Sequence, residues 1–501
     1  MTIHSVFIKN ATANIGKSGT AAIVALLLPP LLVRHMTSTD FSVWVLVLQC
    51  ASYAAYLDCG LQTAIGRYIA YATEKRDFVF QNAVFSTAFA GLVGVALLSV
   101  VLLLGIIATI RFIFPGIPTE EIPAMRWSLF ILGISLALGF PASAWNGISV
   151  GLQRYDIPAS TIGGARLLSA IGVLVAALLG KSIVVMATLM ALVNVGSYLA
   201  QYLATTKIAP HISCELRLIQ RSAAKELTAY CVGLTVMSFS MLLTTGLDLI
   251  LVGRYQFSEL IPYSVSASLV LFFSGGVNAV LSVIMPHAAA LHARQNPKRL
   301  GRLVMTSTQV TVVVLIFTGL PLLIYAAPIL TLWIGSQYVS TGQPILVVLL
   351  IANMVRLIGA PYAVVLIAAG QQRLIKVSPL AEGLSNLMAS LVLGSLLGAI
   401  GVALGTLVGA LIGVASHYFY SMPQTNREIE FSRGGYICFC ILAPLLAAAP
   451  LLAVAGLSVT STLPLASHMT VFVPAIGLSL FGSVLLLRRS GMSGTGSSAL
   501  V

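Results

Sequence analysis

Fourteen long apolar stretches, joined by short loops whose basic residues fall on alternate sides, leave this chain few folds to choose from. A hydrocarbon core about 30 Å thick takes roughly 20 apolar residues per helical crossing. The crossings expected are 14–36, 41–71, 82–108, 124–150, 159–179, 183–205, 228–252, 261–286, 303–329, 343–368, 377–397, 401–421, 435–457 and 469–487. Backbone amides in lipid have no water to bond and must pair internally, which leaves helices or closed barrels. The alternation over about ten residues that marks a barrel strand is absent. The expected fold is therefore an all-α polytopic membrane protein. Hydrophobic residues are 58% of the chain, charged residues 8%, and mean hydropathy is +0.99, outside the range of water-soluble domains.

Basic residues are retained on the cytoplasmic side of short loops, and this sets orientation. With the N-terminus inside, nineteen of the 27 Lys and Arg residues fall on the inner side. Five, Arg34, Arg111, Arg126, Lys181 and Arg254, fall outside, and Arg67, Arg166 and Arg356 lie within crossings. Both termini are expected in the cytoplasm. The net charge of +13 then reflects this bias and attraction to anionic inner-leaflet lipids. No basic run is interleaved with aromatics, so nucleic acid is not an expected partner. The first apolar segment is full length and ends without a small-residue cleavage site, so no cleaved leader is expected. The six cysteines lie mainly in crossings or the cytoplasmic loop, where disulfides are disfavoured. Cys438 and Cys440 are too close for a metal site and lack a third ligand, and no metal or other cofactor is expected. There is no Gly-rich phosphate loop followed by Lys and Ser or Thr, and the chain does not read as an enzyme.

The longest inner loop divides the chain. Residues 1–207 form a first lobe of six crossings, 208–227 a cytoplasmic connection, 228–422 a second lobe of six, and 423–501 the last two crossings and a tail. A short repeat supports the division. Leu32-Val33-Arg34-His35 is followed by Thr39-Asp40-Phe41 and Trp44; 219 residues later, Leu251-Val252-Gly253-Arg254 is followed by Ser258-Glu259-Leu260 and Tyr263. Six crossings restore orientation, so the lobes read as parallel repeats.

The run Leu28-Pro29-Pro30-Leu31-Leu32-Val33-Arg34 with Phe41-Ser42-Val43-Trp44, then Leu57-Asp58-Cys59-Gly60-Leu61-Gln62 and Arg67-Tyr68-Ile69-Ala70, resembles the start of polysaccharide-type exporters. These are the oligosaccharide-lipid flippases of the multidrug/oligosaccharidyl-lipid/polysaccharide exporter superfamily. The crossing number, the two six-helix lobes and the appended pair extend the likeness over the chain. Where the family pattern has Leu-Gly after the acid, Cys59 intervenes here. The resemblance implies flipping of an undecaprenyl-diphosphate-linked glycan from the cytoplasmic to the outer leaflet by alternating access. Membrane lipids, and polymerase or assembly proteins of polysaccharide synthesis, are the partners that go with it.

Ionisable residues inside crossings are the functional candidates, because a charge in hydrocarbon costs about 2.5–3.5 kcal/mol or more. Arg356 lies near mid-membrane, with Asn353 one turn before it and Ala360 one turn after, a polar and small face suited to a water-filled cavity. Arg166, Arg67 and, at a helix end, Arg34 are further cationic candidates, since guanidinium grips phosphate bidentately. Taken as one α-helix, the second crossing aligns Gln49, Tyr53, Tyr56, Gly60, Thr63 and Arg67. Tyr53 and Tyr56 on that stripe could stack on sugar faces, or satisfy polar neighbours within the bundle. Asp58, on the opposite side, is either a buried partner or a protonatable coupling residue; Asp248 and Glu382 are the other coupling candidates. Gly401, Gly405, Gly409 and Gly413 form a ladder at four-residue spacing, a bare helix face that lets a neighbouring backbone approach.

Competing readings are a cation-coupled multidrug exporter, a lipid II flippase, and a non-transporting scaffold or polymerase partner. The first needs acids rather than arginines facing its substrate. The topology makes a direct prediction: a cysteine placed in the 115–122 loop labels with an impermeant thiol reagent from outside the cell, and Asn296→Cys does not. The reverse pattern overturns the map.

Overall fold

The structure, a computed structural model, describes residues 24–453, 474–480 and 482, and helix is the only regular structure among them. In chain order the helices are α1 (Val24–His35), α2 (Ser38–Ser52), α3 (Leu61–Lys75), α4 (Phe78–Ile113), α5 (Ile122–Gly151), α6 (Asp156–Leu178), α7 (Ile183–Ile208) and α8 (Arg221–Met241). They continue with α9 (Asp248–Tyr255), α10 (Leu260–Leu281), α11 (Ile284–Ala293), α12 (Pro297–Ile324), α13 (Ala326–Ile334), α14 (Val339–Ala368), α15 (Gln372–Leu397) and α16 (Ala399–Ser416). Among the described residues, 11 helical segments are long and apolar enough to cross a membrane, and they match the second to twelfth expected crossings. Two shorter apolar helices, Val24–His35 and Arg433–Ala447, fall where the first and thirteenth are expected. The fourteenth, 469–487, lies outside the described residues except for a helix at 474–480.

Several helices start on a side chain that satisfies a free amide of the first turn. The Thr37 hydroxyl accepts from the Asp40 amide (3.1 Å) and donates to the Asp40 carboxylate (2.7 Å) ahead of α2. Asp77 receives the Phe80 amide at the start of α4, and Asn296 receives the Arg299 amide at the start of α12. In both copies of the sequence repeat the aromatic just inside the next helix, Trp44 or Tyr263, is fully buried. By contrast, leucines, valines and phenylalanines such as Leu97, Val101, Phe112 and Leu396 stand on the surface, as lipid-facing side chains do.

By contacts the chain divides into two compact units, residues 1–268 and 269–501. In the first, α3, α4 and α5 close on a core of Ile65, Ile69, Phe85, Leu92 and Ile148, with Leu227 and Cys231 of α8 against it. In the second, Leu300, Val304, Tyr362, Val365 and Leu366 form a core with Met422, Ile429 and Tyr436.

The second crossing departs from the expected continuous α-helix. It tightens to 3-10 geometry over Tyr53–Asp58, and Cys59 and Gly60 then take left-handed conformations (φ 51° and 77°) before α3 begins. Gly60 supplies the conformation that other residues resist, and α8 packs directly on it: a Cβ there would lie 2.5 Å from Leu234 Cδ1. The single stripe from Gln49 to Arg67 is therefore corrected. Residues 49–56 and 63–67 belong to two helical pieces, and a rotation of 100° per residue does not carry across the break. A second irregularity, a π-helical stretch Leu242–Gly246, separates α8 from α9.

The glycine ladder finds its partner inside the chain. α15 and α16 form an antiparallel hairpin through Gly398 (φ 66°), and each rung of the ladder faces α15. Gly401 meets the Leu393 carbonyl and Gly405 meets Ser390, while a Cβ at Gly409 would lie 2.7 Å from Asn386 Cβ and one at Gly413 2.8 Å from Glu382 Oε2. No side chain fits between these backbones. Gly405→Val should destabilise the protein by about 1–3 kcal/mol or more, read as a clear fall in Tm in detergent. An unchanged Tm would mean that the two helices can separate freely.

Candidate functional site

In the first unit, Arg67 projects from α3 as an exposed side chain whose guanidinium lies 4.8 Å over the Tyr230 ring of α8 and 5.8 Å from the centre of the Tyr68 ring. The two tyrosines meet edge to face at 6.4 Å, and the Tyr68 hydroxyl donates to the Glu226 carbonyl (3.4 Å). Among the described residues Arg67 forms no ion pair, so its charge is held by ring faces and not neutralised by a carboxylate. A cation–π contact leaves the edge of the guanidinium plane available for hydrogen bonds. Further along α3, the Lys75 ammonium lies 4.5 Å over the Tyr71 ring.

Tyr53 and Tyr56 lie on the 3-10 stretch and line an apolar cavity of about 360 Å³ with Cys50, Cys59, Leu102 and Phe239. Asp58 sits at the helix break, with one carboxylate oxygen (Oδ1) buried and without a partner among the described residues. Asp248 opens α9 and accepts a hydrogen bond from the Tyr263 hydroxyl (3.3 Å). Arg166 is an exposed residue of α6, and Arg34 is exposed at the end of α1.

In the second unit the structure joins three candidates that the sequence named separately. Arg356 on α14 donates from Nε to Glu382 on α15, forming an ion pair. Its Nη1 donates to Asn353 Oδ1 (3.1 Å), one turn back on α14. The same Asn353 oxygen receives the Ser274 hydroxyl of α10 (3.1 Å), and the Asn353 amide donates to the Leu349 carbonyl (3.0 Å). Arg356 Nη2 is buried and has no partner among the described residues. Glu382 can lie so close to α16 because Gly413 and Gly409 leave room for it. One turn further, His417 is buried beside Gly359 and meets Tyr362 edge to face at 5.4 Å.

Sequence reasoning did not single out Tyr230, Ser274 or His417 for these clusters. Tyr230 lies far from Arg67 in the chain and only the packing of α8 on α3 joins them. Ser274 carried a readable signal, since Ser264, Ser266, Ser268 and Ser274 punctuate an otherwise apolar helix. Among the described residues no group of three or more His, Cys, Asp or Glu side chains could hold a metal ion.

The sequence profile of the family described as polysaccharide biosynthesis protein matches residues 7–292, more than half of the chain. The chain belongs to that family. Comparison with curated proteins finds no match. Among solved structures, the lipid II flippase MurJ in an inward closed conformation is similar at 15% identity and a TM-score of 0.70, covering 96% of this chain and 99% of that one. A multidrug resistance MATE family transporter of the MOP superfamily, in an inward-facing conformation, is similar at 13% identity and a TM-score of 0.64, covering 80% and 94%. A Vibrio cholerae MATE transporter matches at 13% identity and 0.60, covering 85% and 98%. At these identities the likeness is one of fold. This member of the polysaccharide biosynthesis family thus has the helical fold of the MOP superfamily, which agrees with the resemblance carried by its N-terminal motifs.

Proposed function

We propose that the protein is a flippase that moves an undecaprenyl-diphosphate-linked oligosaccharide from the cytoplasmic to the outer leaflet by alternating access, for synthesis of a bacterial surface polysaccharide. The observation that carries this reading is Arg67: an exposed guanidinium stacked on Tyr230 with no ion-pair partner among the described residues, in a chain of the polysaccharide biosynthesis family. Such a group can grip a diphosphate bidentately while neighbouring rings offer faces to sugars. Arg67 and Arg356 are the phosphate-holding residues on this reading, with Asn353 orienting Arg356 and with Arg166 and Arg34 contributing positive potential. Tyr53 and Tyr56 are sugar-facing or lipid-facing rings beside the apolar cavity.

The state of the acids supports an anionic substrate. A multidrug exporter for cationic drugs needs free carboxylates, but Glu382 is held by Arg356 and Asp248 is bonded by Tyr263. Asp58, with a buried and unpartnered oxygen at the helix break, is the acid we assign to any coupling with an ion gradient. The reading places the protein in the bacterial inner membrane with both termini cytoplasmic, where polymerase and assembly proteins would receive its cargo.

Arg67→Ala and Arg356→Ala should each abolish polysaccharide export per molecule of protein in the membrane, and the Lys variants should restore it only partly, because a point charge cannot grip bidentately. Tyr230→Ala should lower export about fivefold or less, in line with a cation–π contribution of roughly 0.5–1 kcal/mol at an exposed site. Full export by Arg67→Ala would remove the observation on which the reading stands.

A further inference from the structure

Arg356 is held in an unfinished way. A guanidinium donates to a carboxylate or phosphate best along one edge, through two parallel N–H groups. On the edge formed by Nε and Nη2, only Nε has a partner among the described residues, Glu382, and Nη2 is buried with none. Nη1 is occupied by Asn353, which is itself bonded by Ser274, so the plane of the group is fixed. A buried donor without an acceptor is costly, about 1–3 kcal/mol, and it marks a place where a further oxygen would be gained. Glu382 is the only acid on α14, α15 or α16, and Arg356 the only basic residue on α14 or α16. The pair is thus a single cation with a single resident anion.

We propose that Glu382 is a stand-in for the substrate's phosphate. In the empty protein its carboxylate neutralises Arg356 through one hydrogen bond. A diphosphate ester displaces it and takes both Nε and Nη2, and the carboxylate returns when the substrate leaves. The proposal rests on the flippase reading and adds to it the release step. Arg356 never stands in the membrane without a counter-charge, whether loaded or empty. The bare backbone at Gly409 and Gly413 lets Glu382 lie against α16 within reach of Arg356. A substrate anion therefore competes with a tethered carboxylate at high effective concentration, which weakens its hold and speeds its departure.

The test is equilibrium binding of farnesyl diphosphate to the full-length protein in detergent, with wild type, Glu382→Gln, Glu382→Asp and the double variant Glu382→Gln/Arg356→Ala. Gln keeps an oxygen for Arg356 Nε but removes the competing charge. Glu382→Gln should bind about tenfold or more tightly than wild type, and the double variant should lose that gain. In cells Glu382→Gln should slow export, a tighter but slower carrier. Glu382→Asp, shorter by one methylene but still charged, should fall between wild type and Gln and serves as the readout if Gln does not fold. A short-chain phosphatidylglycerol, whose diester phosphate carries a single negative charge, should show a smaller gain; equal tightening for it overturns the assignment to a diphosphate. Wild-type binding that neither Gln nor Asp tightens overturns this proposal alone. No saturable binding by any variant overturns the flippase reading and this proposal with it.

Discussion

A charge inside a membrane has no water to turn to, and every ionisable side chain within these helices has to be answered by packing. The second unit answers it through backbone contact. Four glycines at four-residue spacing let α16 lie directly on α15, and that closeness fixes where Glu382 points. Arg356 on α14 then has its counter-ion, and Asn353 and Ser274 fix its plane. Breaking a buried pair by removing one partner is strongly destabilising, about 3–5 kcal/mol, whereas replacing both by apolar groups is often neutral. The pair is therefore weak evidence for stability and stronger evidence for use.

The first unit solves the same problem differently. Arg67 is exposed and its charge is spread over tyrosine faces. A ring can stabilise a cation without saturating its hydrogen bonds, so the group is both held and available. The apolar cavity and the helix break at Tyr53–Gly60 lie in the same unit. Non-helical backbone at membrane depth is tolerated only where it is buried in protein or lines a cavity, and here the 3-10 stretch does line one.

Much of this was legible in the sequence because membrane helices are written in hydropathy. The second to twelfth crossings appear within a few residues of their expected places, and the glycine ladder announced a close helix contact before its partner was known. The break in the second crossing was not legible. An assumed rotation of 100° per residue hid the meaning of Cys59-Gly60, where the backbone turns left-handed and Leu234 of α8 packs directly on Gly60. The ionisable residues themselves were visible, but their pairing was not. Arg356 and Glu382 sit on consecutive helices whose relative register depends on packing, and Tyr230 reaches Arg67 only through the tertiary fold.

The central claim is that an anionic lipid-linked glycan is the cargo. It is tested most directly by reconstituting the full-length protein in vesicles and measuring transfer of a fluorescent polyprenyl-diphosphate oligosaccharide between leaflets, beside uptake of a cationic dye. The account predicts that wild type moves the diphosphate-linked glycan and not the dye. Dye transport without movement of the lipid-linked glycan would contradict it.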